Sequence, residues 1–360
     1  MIWLLAILGV FVIQVIHLSI VLKWSDDRTT GLNYYGLPAA GRDRFKRRLR
    51  FHAAILRPIL WLNTRSGKLD FRKARIVYKG ISAPTGSCSL ETFAKAEAYL
   101  PRPEDVFVVT QMRCGTTWMQ HIVYQVLYRG NGDLVETGRE LYAVSPWLEG
   151  RRSVPIEQAP LLGIDRPSRL IKTHLPVRLC PFSPASRYIY VGRHPAACFA
   201  SCIDFLATNL GAMTPGLPQF EEWFTSPDLM WWGTWTDHLN GWRDRARKEP
   251  NVLFVTFEEM QGEAQARQRA ASINGLPAII QRVAAFLDLP LLTGPELENA
   301  VYKTGFKYMQ EHQDNFEMQP PHLFQPSAKL FVSGSGERRL DVPEEVRIRI
   351  EAWARKTTDY

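Results

Sequence analysis

The chain has 360 residues and carries 44 Lys and Arg against 36 Asp and Glu, a formal net charge of +8. Hydrophobic content of 46% with 22% charged residues describes a folded globular chain and excludes a disordered or collagen-like one. Five cysteines, none in a Cys-x-x-Cys pair and none clustered with histidine at zinc spacing, exclude a disulfide scaffold and a zinc module and favour a reducing compartment.

Residues Ile2 to Leu22 form an unbroken apolar run in which only Gln14, His17 and Ser19 are polar. A run of ~20 such residues is long enough to cross a bilayer. No Lys or Arg precedes it, and Val21-Leu22-Lys23-Trp24 lacks the small residues of a cleavage site, so a retained single-pass transmembrane helix is expected rather than a cleaved signal. From Lys23 to Lys79 there are 15 Lys and Arg against 4 Asp, a net of +11 that leaves the rest of the chain slightly acidic. Because the positive charge follows the anchor, the positive-inside rule predicts a domain facing the cytoplasm. Gly41 to Arg50 reads GRDRFKRRLR, and the apolar stretch FHAAILRPILWL follows from Phe51 to Leu62. Together they predict an interfacial segment held against anionic headgroups of the lipid bilayer. No aromatic-interleaved basic stripe accompanies them, so a nucleic acid partner is not expected. The expected organisation is an anchor over 1–22, a basic juxtamembrane region over 23–80 and one folded domain over 81–360.

Beyond residue 80, Glu91 to Leu100 has helical character, and Pro101 and Pro103 stop it. Strands are predicted over 105–110, 168–173, 187–192 and 251–256, with helices around 116–129, 195–207, 219–224, 234–248 and 279–287. Strands alternating with helices predict an α/β fold, a P-loop-like parallel sheet flanked by helices. Ligands of such sheets sit beyond the carboxyl ends of the strands, where Arg113, His174 and Arg193 all fall. The stretch Thr110-Gln111-Met112-Arg113-Cys114-Gly115-Thr116-Thr117-Trp118 follows the first of these strands and opens a helix. That order places an anion on a helix N-terminus. Gly115 lets the backbone approach, Thr116 and Thr117 add hydroxyl donors, and Arg113 adds charge. A Walker A loop needs a Gly-Lys pair, which the stretch lacks.

This stretch resembles the 5′-phosphosulfate loop of the cytosolic-type sulfotransferases, usually Tyr-Pro-Lys-Ser-Gly-Thr-Thr-Trp. Three more segments resemble that family in its order. Ser168 to Pro176 (SRLIKTHLP) is similar to the strand and turn that carry its catalytic histidine. Arg187 to Leu206 (RYIYVGRHPAACFASCIDFL) is similar to its 3′-phosphate segment. Trp232 to Trp242 (WGTWTDHLNGW) is followed by Phe257-Glu258-Glu259-Met260, where the family has Tyr-Glu-Asp-Met. The resemblance covers roughly residues 100 to 340 and implies the sulfotransferase fold, with 3′-phosphoadenosine 5′-phosphosulfate (PAPS) as donor and 3′,5′-adenosine bisphosphate (PAP) as product.

Sulfuryl transfer moves SO3 in line between two oxygens. The resemblance makes His174 the general base, since imidazole titrates near neutral pH. Lys172, two residues along an extended strand, is expected on the same side, facing the sulfuryl group. Arg113 stands where the family has lysine, keeping the charge and changing the reach. Cys114 replaces serine as a small residue in the loop with no base to activate it. Arg193 and Ser201 are the expected 3′-phosphate ligands. Trp118, Phe257, Thr304 and Phe306 are the expected adenine frame. Val332 to Arg339 reads VSGSGERR against the family's Arg-Lys-Gly-x-x-Gly-Asp-Trp. There Gly334 and Gly336 are the candidates for an anion-binding loop, with Arg338, Arg339 or Lys329 restoring its charge. The dimerisation segment that follows in the family is poorly matched at Leu340-Asp341-Val342, so no dimer is expected by that route.

The reading is therefore a membrane-anchored, cytoplasm-facing sulfotransferase that needs no metal. Its acceptor would be a hydroxyl, or an amine, of an amphiphilic or lipid-like molecule, with Trp231, Trp232 and Trp235 near the acceptor side. Two other readings compete. A P-loop small-molecule kinase would need ATP and magnesium. A non-catalytic nucleotide-binding membrane scaffold would keep the nucleotide and have no use for a base.

Overall fold

The computed structural model describes residues 2–26, 34–35, 37–65, 67–151, 154–262, 275–316, 336–358 and 360. Four parallel strands make the central sheet: β3 (Asp105–Thr110), β4 (Arg169–Thr173), β5 (Arg187–Gly192) and β6 (Val252–Thr256), in the order β4-β3-β5-β6. The register pairs Val106 with Leu170 and with Arg187, and Tyr188 with Val252. Every residue of β3 is buried, as expected of a strand with neighbours on both edges and helices on both faces.

Alternation along the strands assigns the two faces. Val106, Val108, Leu170, Ile189 and Val191 point to one cluster, shared with helices α4 (Thr116–Leu127), α9 (Leu276–Phe286) and α10 (Gly294–Thr304). Phe107, Val109, Ile171, Tyr188 and Tyr190 point to the other. There they meet α5 (Pro195–Leu210), α6 (Leu217–Thr225), α7 (Trp235–Lys248) and α12 (Glu344–Arg355). Short helices α3 (Leu90–Glu97), α8 (Phe257–Gln261) and α11 (Phe306–Glu311) complete the layers. Because all four strands run the same way, the loops after β3, β4 and β5 leave from one edge of the sheet.

The four predicted strands lie within a residue of their observed bounds. A β-hairpin, β1 (Arg75–Tyr78) with β2 (Ile81–Pro84), was not predicted. Its turn uses Lys79 and Gly80 at φ 48° and 76°, the positive-φ pair that a tight hairpin needs. The hairpin straddles residue 80, and Phe71 before it already belongs to the domain core.

Two helices precede the hairpin. The backbone of α1 (Ile2–Asp26) is helical over 25 residues, about 37 Å at ~1.5 Å per residue. The apolar stretch with described side chains is Ile7–Val21. Every residue from Ile7 to Ile13 is exposed. The C-terminal half of α1 packs on α2 (Ala39–Arg65) through Leu18 and Val21 against Leu49 and Leu56. A ring contact, His17 Nδ1 to His52 Nδ1 at 2.6 Å, fixes the antiparallel register. The predicted interfacial segment over 42–62 is therefore one continuous helix. Pro195–Met213 is also apolar and long enough to cross a membrane, yet Pro195 to Cys202 are buried against the sheet, so it is a core helix.

Candidate active site

The loop after β3 is held from beneath. Gln111 is fully buried, and its Nε2 donates to the carbonyls of Trp231 (3.1 Å) and Gly233 (2.6 Å). Arg113 and Gly115 take φ values of 64° and 101°. A Cβ on Gly115 would stand 2.8 Å from Phe257 Cδ2, so glycine is required both by conformation and by space. Thr116 and Thr117 then open α4 with free backbone donors at its N-terminus. The Thr116 and Thr110 hydroxyls lie 2.5 Å apart.

Three predicted donor-site residues meet at this loop. Arg113 Nε donates to Ser201 Oγ at 3.2 Å, and Arg193 donates to the Arg113 carbonyl at 2.8 Å. The Arg193 guanidinium lies 4.1 Å from the Phe257 ring centre, and that of Arg113 4.8 Å from Phe205. Burial first, then the Arg193 and Arg338 cations, lowers the Arg113 pKa. Among the described residues neither Arg113 nor Arg193 has a carboxylate partner, and Arg193 Nε is buried without an acceptor. A half-buried guanidinium at the Ser201 hydroxyl, with a buried one beside it, favours an anion at this loop.

Beside it, Trp118 meets Phe257 edge-on at 5.4 Å and donates from its indole to the Thr304 carbonyl at 2.9 Å. Phe306 opens α11 two residues on and is 37% exposed. Cys114 packs 3.7 Å from Cys198, and burial pushes its thiol pKa well up, leaving it neutral. All five cysteines are free thiols.

His174 stands just past β4. Its Nδ1–H donates to the Thr110 carbonyl at 2.9 Å, which fixes the tautomer and leaves Nε2 as the basic nitrogen. Trp147 and Trp232 flank the imidazole at 5.4 and 4.8 Å between ring centres. Sequence reasoning expected a base titrating near neutral pH. Burial first, then the Lys172 cation, instead lowers the His174 pKa well below 6.5. Lys172 Nζ sits 3.9 Å over the Trp147 ring and donates to the Tyr142 hydroxyl at 3.3 Å.

Two residues near His174 were not anticipated. Glu149 is fully buried and accepts from the His174 backbone N–H and the Thr173 hydroxyl, both at 2.8 Å. Burial raises its pKa. His238 Nε2 donates to the His174 carbonyl at 2.9 Å, and Tyr190 donates to His238 Nδ1 at 3.1 Å. Local spacing carries no signal for either, because each pairing spans the fold.

The structure also redistributes the tryptophans. Trp232 contacts His174, whereas Trp231 packs on Trp223 and Phe71. Trp235 donates to the Arg193 carbonyl at 3.0 Å and so stands beside Arg193 rather than His174. Gly334 and Lys329 lie outside the described residues. Gly336 begins the short 3₁₀ helix Gly336–Asp341. Its Arg338 pairs with Asp204 on α5 and, at 3.2 Å, with Asp341. Arg339 is among the cations that, after burial, hold the His194 pKa down at about 4.

The strand ends of the parallel sheet thus gather a glycine-bearing loop at a helix N-terminus, two guanidiniums without a carboxylate partner among the described residues and a tautomer-fixed histidine. The sulfotransferase domain model matches residues 103–333, and the chain belongs to the sulfotransferase family. It is 30% identical over 256 residues to sulfotransferase 2B1 of Homo sapiens, covering 68% of this chain and 63% of that protein. The Mus musculus sulfotransferase 2B1 is 32% identical over 254 residues, 68% of each chain. The matched segment spans less than two thirds of the human relative's length. Among solved structures, retinol dehydratase in complex with retinol and PAP shares the fold at TM-score 0.60 and 19% identity, over 82% of this chain and 98% of that one. Mouse sulfotransferase SULT7A1 complexed with PAP does so at 0.56 and 19%, over 79% and 95%.

Proposed function

We propose that this sulfotransferase moves a sulfuryl group from PAPS to a hydroxyl, or an amine, of an amphiphilic or lipid-like acceptor at a membrane surface. The observation that carries the donor half is the pairing of the half-buried Arg113 guanidinium with the buried Arg193, neither with a carboxylate partner among the described residues. Arg193 and Ser201 would take the 3′-phosphate, and the 113–117 loop with the α4 N-terminus the 5′-phosphosulfate. Trp118, Phe257, Thr304 and Phe306 would frame adenine, and Gly334 and Gly336 would add backbone donors.

For catalysis, the acceptor O–H gives its proton to His174 Nε2 as the oxygen attacks sulfur. The S–O bond to the leaving phosphate breaks in line, and Lys172 and Arg113 balance the charge that grows on the bridging oxygen. The step as written uses no metal. A base whose pKa is lowered accepts a proton less readily but is neutral and competent throughout ordinary pH. The His174→Ala variant, measured for turnover and for PAP binding, tests this reading. Lost turnover with retained PAP supports it; unchanged turnover places the base elsewhere, and PAP binding by a parent chain that turns nothing over transfers the chain to the scaffold reading.

The membrane half rests on α1 and on the exposed arginines of α2, among them Arg44, Arg47, Arg48 and Arg50. In the proposed arrangement 1–22 is a single-pass anchor, 23–80 lies against cytoplasmic headgroups, and 81–360 is the catalytic domain in the cytoplasm. Trp147 and Trp232 beside His174 offer an apolar acceptor surface. Equal turnover of a lipid alcohol by full-length and anchor-deleted enzyme would overturn the membrane acceptor.

A further inference from the structure

The start of α2 is fastened to the domain by a buried ion pair. Arg42 and Glu140 are 6% and 2% exposed, and Arg42 Nε stands 2.9 Å from Glu140 Oε1. Arg42 also donates to the carbonyls of Leu37, at 2.6 Å, and Gly138. Tyr34 donates its hydroxyl to the same Glu140 oxygen at 3.0 Å. Taking both charges out of water is costly unless the geometry is well satisfied, so this contact fixes a position rather than simply adding stability.

What it fixes lies at the reacting centre. Glu140 caps the single helical turn Leu141–Val144, which carries Tyr142. The Tyr142 hydroxyl receives the Lys172 ammonium at 3.3 Å, and its ring lies 5.1 Å from that nitrogen. The ring of Tyr35 stands against Tyr142 with centres 6.3 Å apart, and both belong to one core cluster with Tyr34. A continuous chain of contacts therefore runs from α2 through Arg42, Glu140 and Tyr142 to Lys172. Its N-terminal members lie outside residues 103–333 that match the family domain.

We infer that the segment bearing Tyr34, Tyr35 and Arg42 is part of the active-site wall, and that Arg42 and Glu140 are positioning residues that set the Lys172 ammonium by holding Tyr142. The membrane-proximal arm is then a working part of the catalyst as well as a tether. This inference rests on the reading that Lys172 faces the transferring sulfuryl group. Losing the clamp should slow transfer while leaving the nucleotide site intact, because Arg193 and Ser201 are held by other elements.

The test uses the full chain in detergent, with Arg42→Gln, Glu140→Gln and the double variant, each alone and combined with Lys172→Met. Release of PAP from PAPS, with water as acceptor, gives a rate that needs no identified acceptor, and calorimetry gives PAP affinity. The single variants are expected to turn over about tenfold more slowly with PAP affinity within about twofold of the parent. The double variant, which leaves no uncompensated charge, separates lost positioning from misfolding and should remain as slow as the singles. In the Lys172→Met background the Arg42→Gln effect should vanish, since residues acting through one group are not additive. Independent, multiplicative effects would overturn the inference. So would a parallel loss of PAP affinity and rate, which marks a merely structural role. If Lys172→Met is itself without effect, the assignment of Lys172 has failed, and the arm inference falls with it for that separate reason.

Discussion

Gly115→Ala should impose a predictable free-energy cost on the donor site. The residue holds φ 101°, and an added Cβ would approach Phe257 Cδ2 to 2.8 Å. A left-handed conformation costs an L-residue about 1–2 kcal/mol. Turning the Phe257 ring away by ~30° costs about 0.5–1.5 kcal/mol more. Phe257 is not free to turn, because it meets Trp118 at 5.4 Å and carries the Arg193 guanidinium at 4.1 Å. The sum, about 1.5–3.5 kcal/mol, must appear in one of two places. If the loop keeps its shape, it appears as lost stability. If the loop relaxes, it appears as weakened PAP binding by roughly 10- to 300-fold, at ~1.4 kcal/mol per decade. Calorimetric titration with PAP and thermal melts of the same preparation measure both. A Gly115→Ala variant with unchanged melting and unchanged PAP affinity would refute the loop geometry and the place of Phe257 in it.

Other expectations follow from the same geometry. Arg193→Ala should abolish measurable PAP binding by calorimetry, since it removes a buried cation with a vacant donor, while the backbone carbonyl that Trp235 uses is retained. The acid limb of the kcat/KM profile should lie below pH 6.5, and because Lys172 lowers the His174 pKa, Lys172→Met should move that limb upward; a limb that stays or moves down contradicts the assignment. Stability should fall with acid as well. His174 is held well below 6.5, His121 at about 3, and His194 and His238 at about 4, so the unfolded chain binds protons that the native state refuses as pH drops through 6.5. Four such sites give a limiting slope of about 5 kcal/mol per pH unit, and a melting temperature that is flat from pH 7 to pH 5 would rule this out. For the membrane arm, the full chain should float with anionic vesicles, and the chain lacking residues 1–22 should still bind them at low salt; neutralising Arg44, Arg47, Arg48 and Arg50 together should reduce that residual binding, and an unchanged fraction would place the attachment elsewhere.

Where the sequence spoke clearly, it did so through short-range signals. The apolar runs 105–110 and 187–192 alternate correctly between two faces because strand geometry has period two, and both are strands in the structure. Likewise Gly115, Thr116 and Arg113 are contiguous in the chain, so their gathering at a strand-to-helix loop follows from local order. The resemblance in four ordered segments named the family, and residues 103–333 belong to it.

Tertiary structure decided what no window could hold. Gln111 is pinned by carbonyls 120 and 122 residues away, and Glu149 reaches a histidine backbone 25 residues on. The arm at Arg42 meets Glu140 across the fold, in a pair that looks like scattered surface charge when read along the chain. Trp235 and Trp232 are three residues apart, yet one supports Arg193 and the other faces His174, because a helix begins between them. His174 itself was legible as a residue, but its lowered pKa was not. That depends on burial and on the distance to Lys172, quantities that exist only once the sheet has closed. The sequence thus determined which chemical groups are available and in what local order. The fold determined which of them share a desolvated space, and in such a space charge and proton affinity are set by neighbours rather than by residue type.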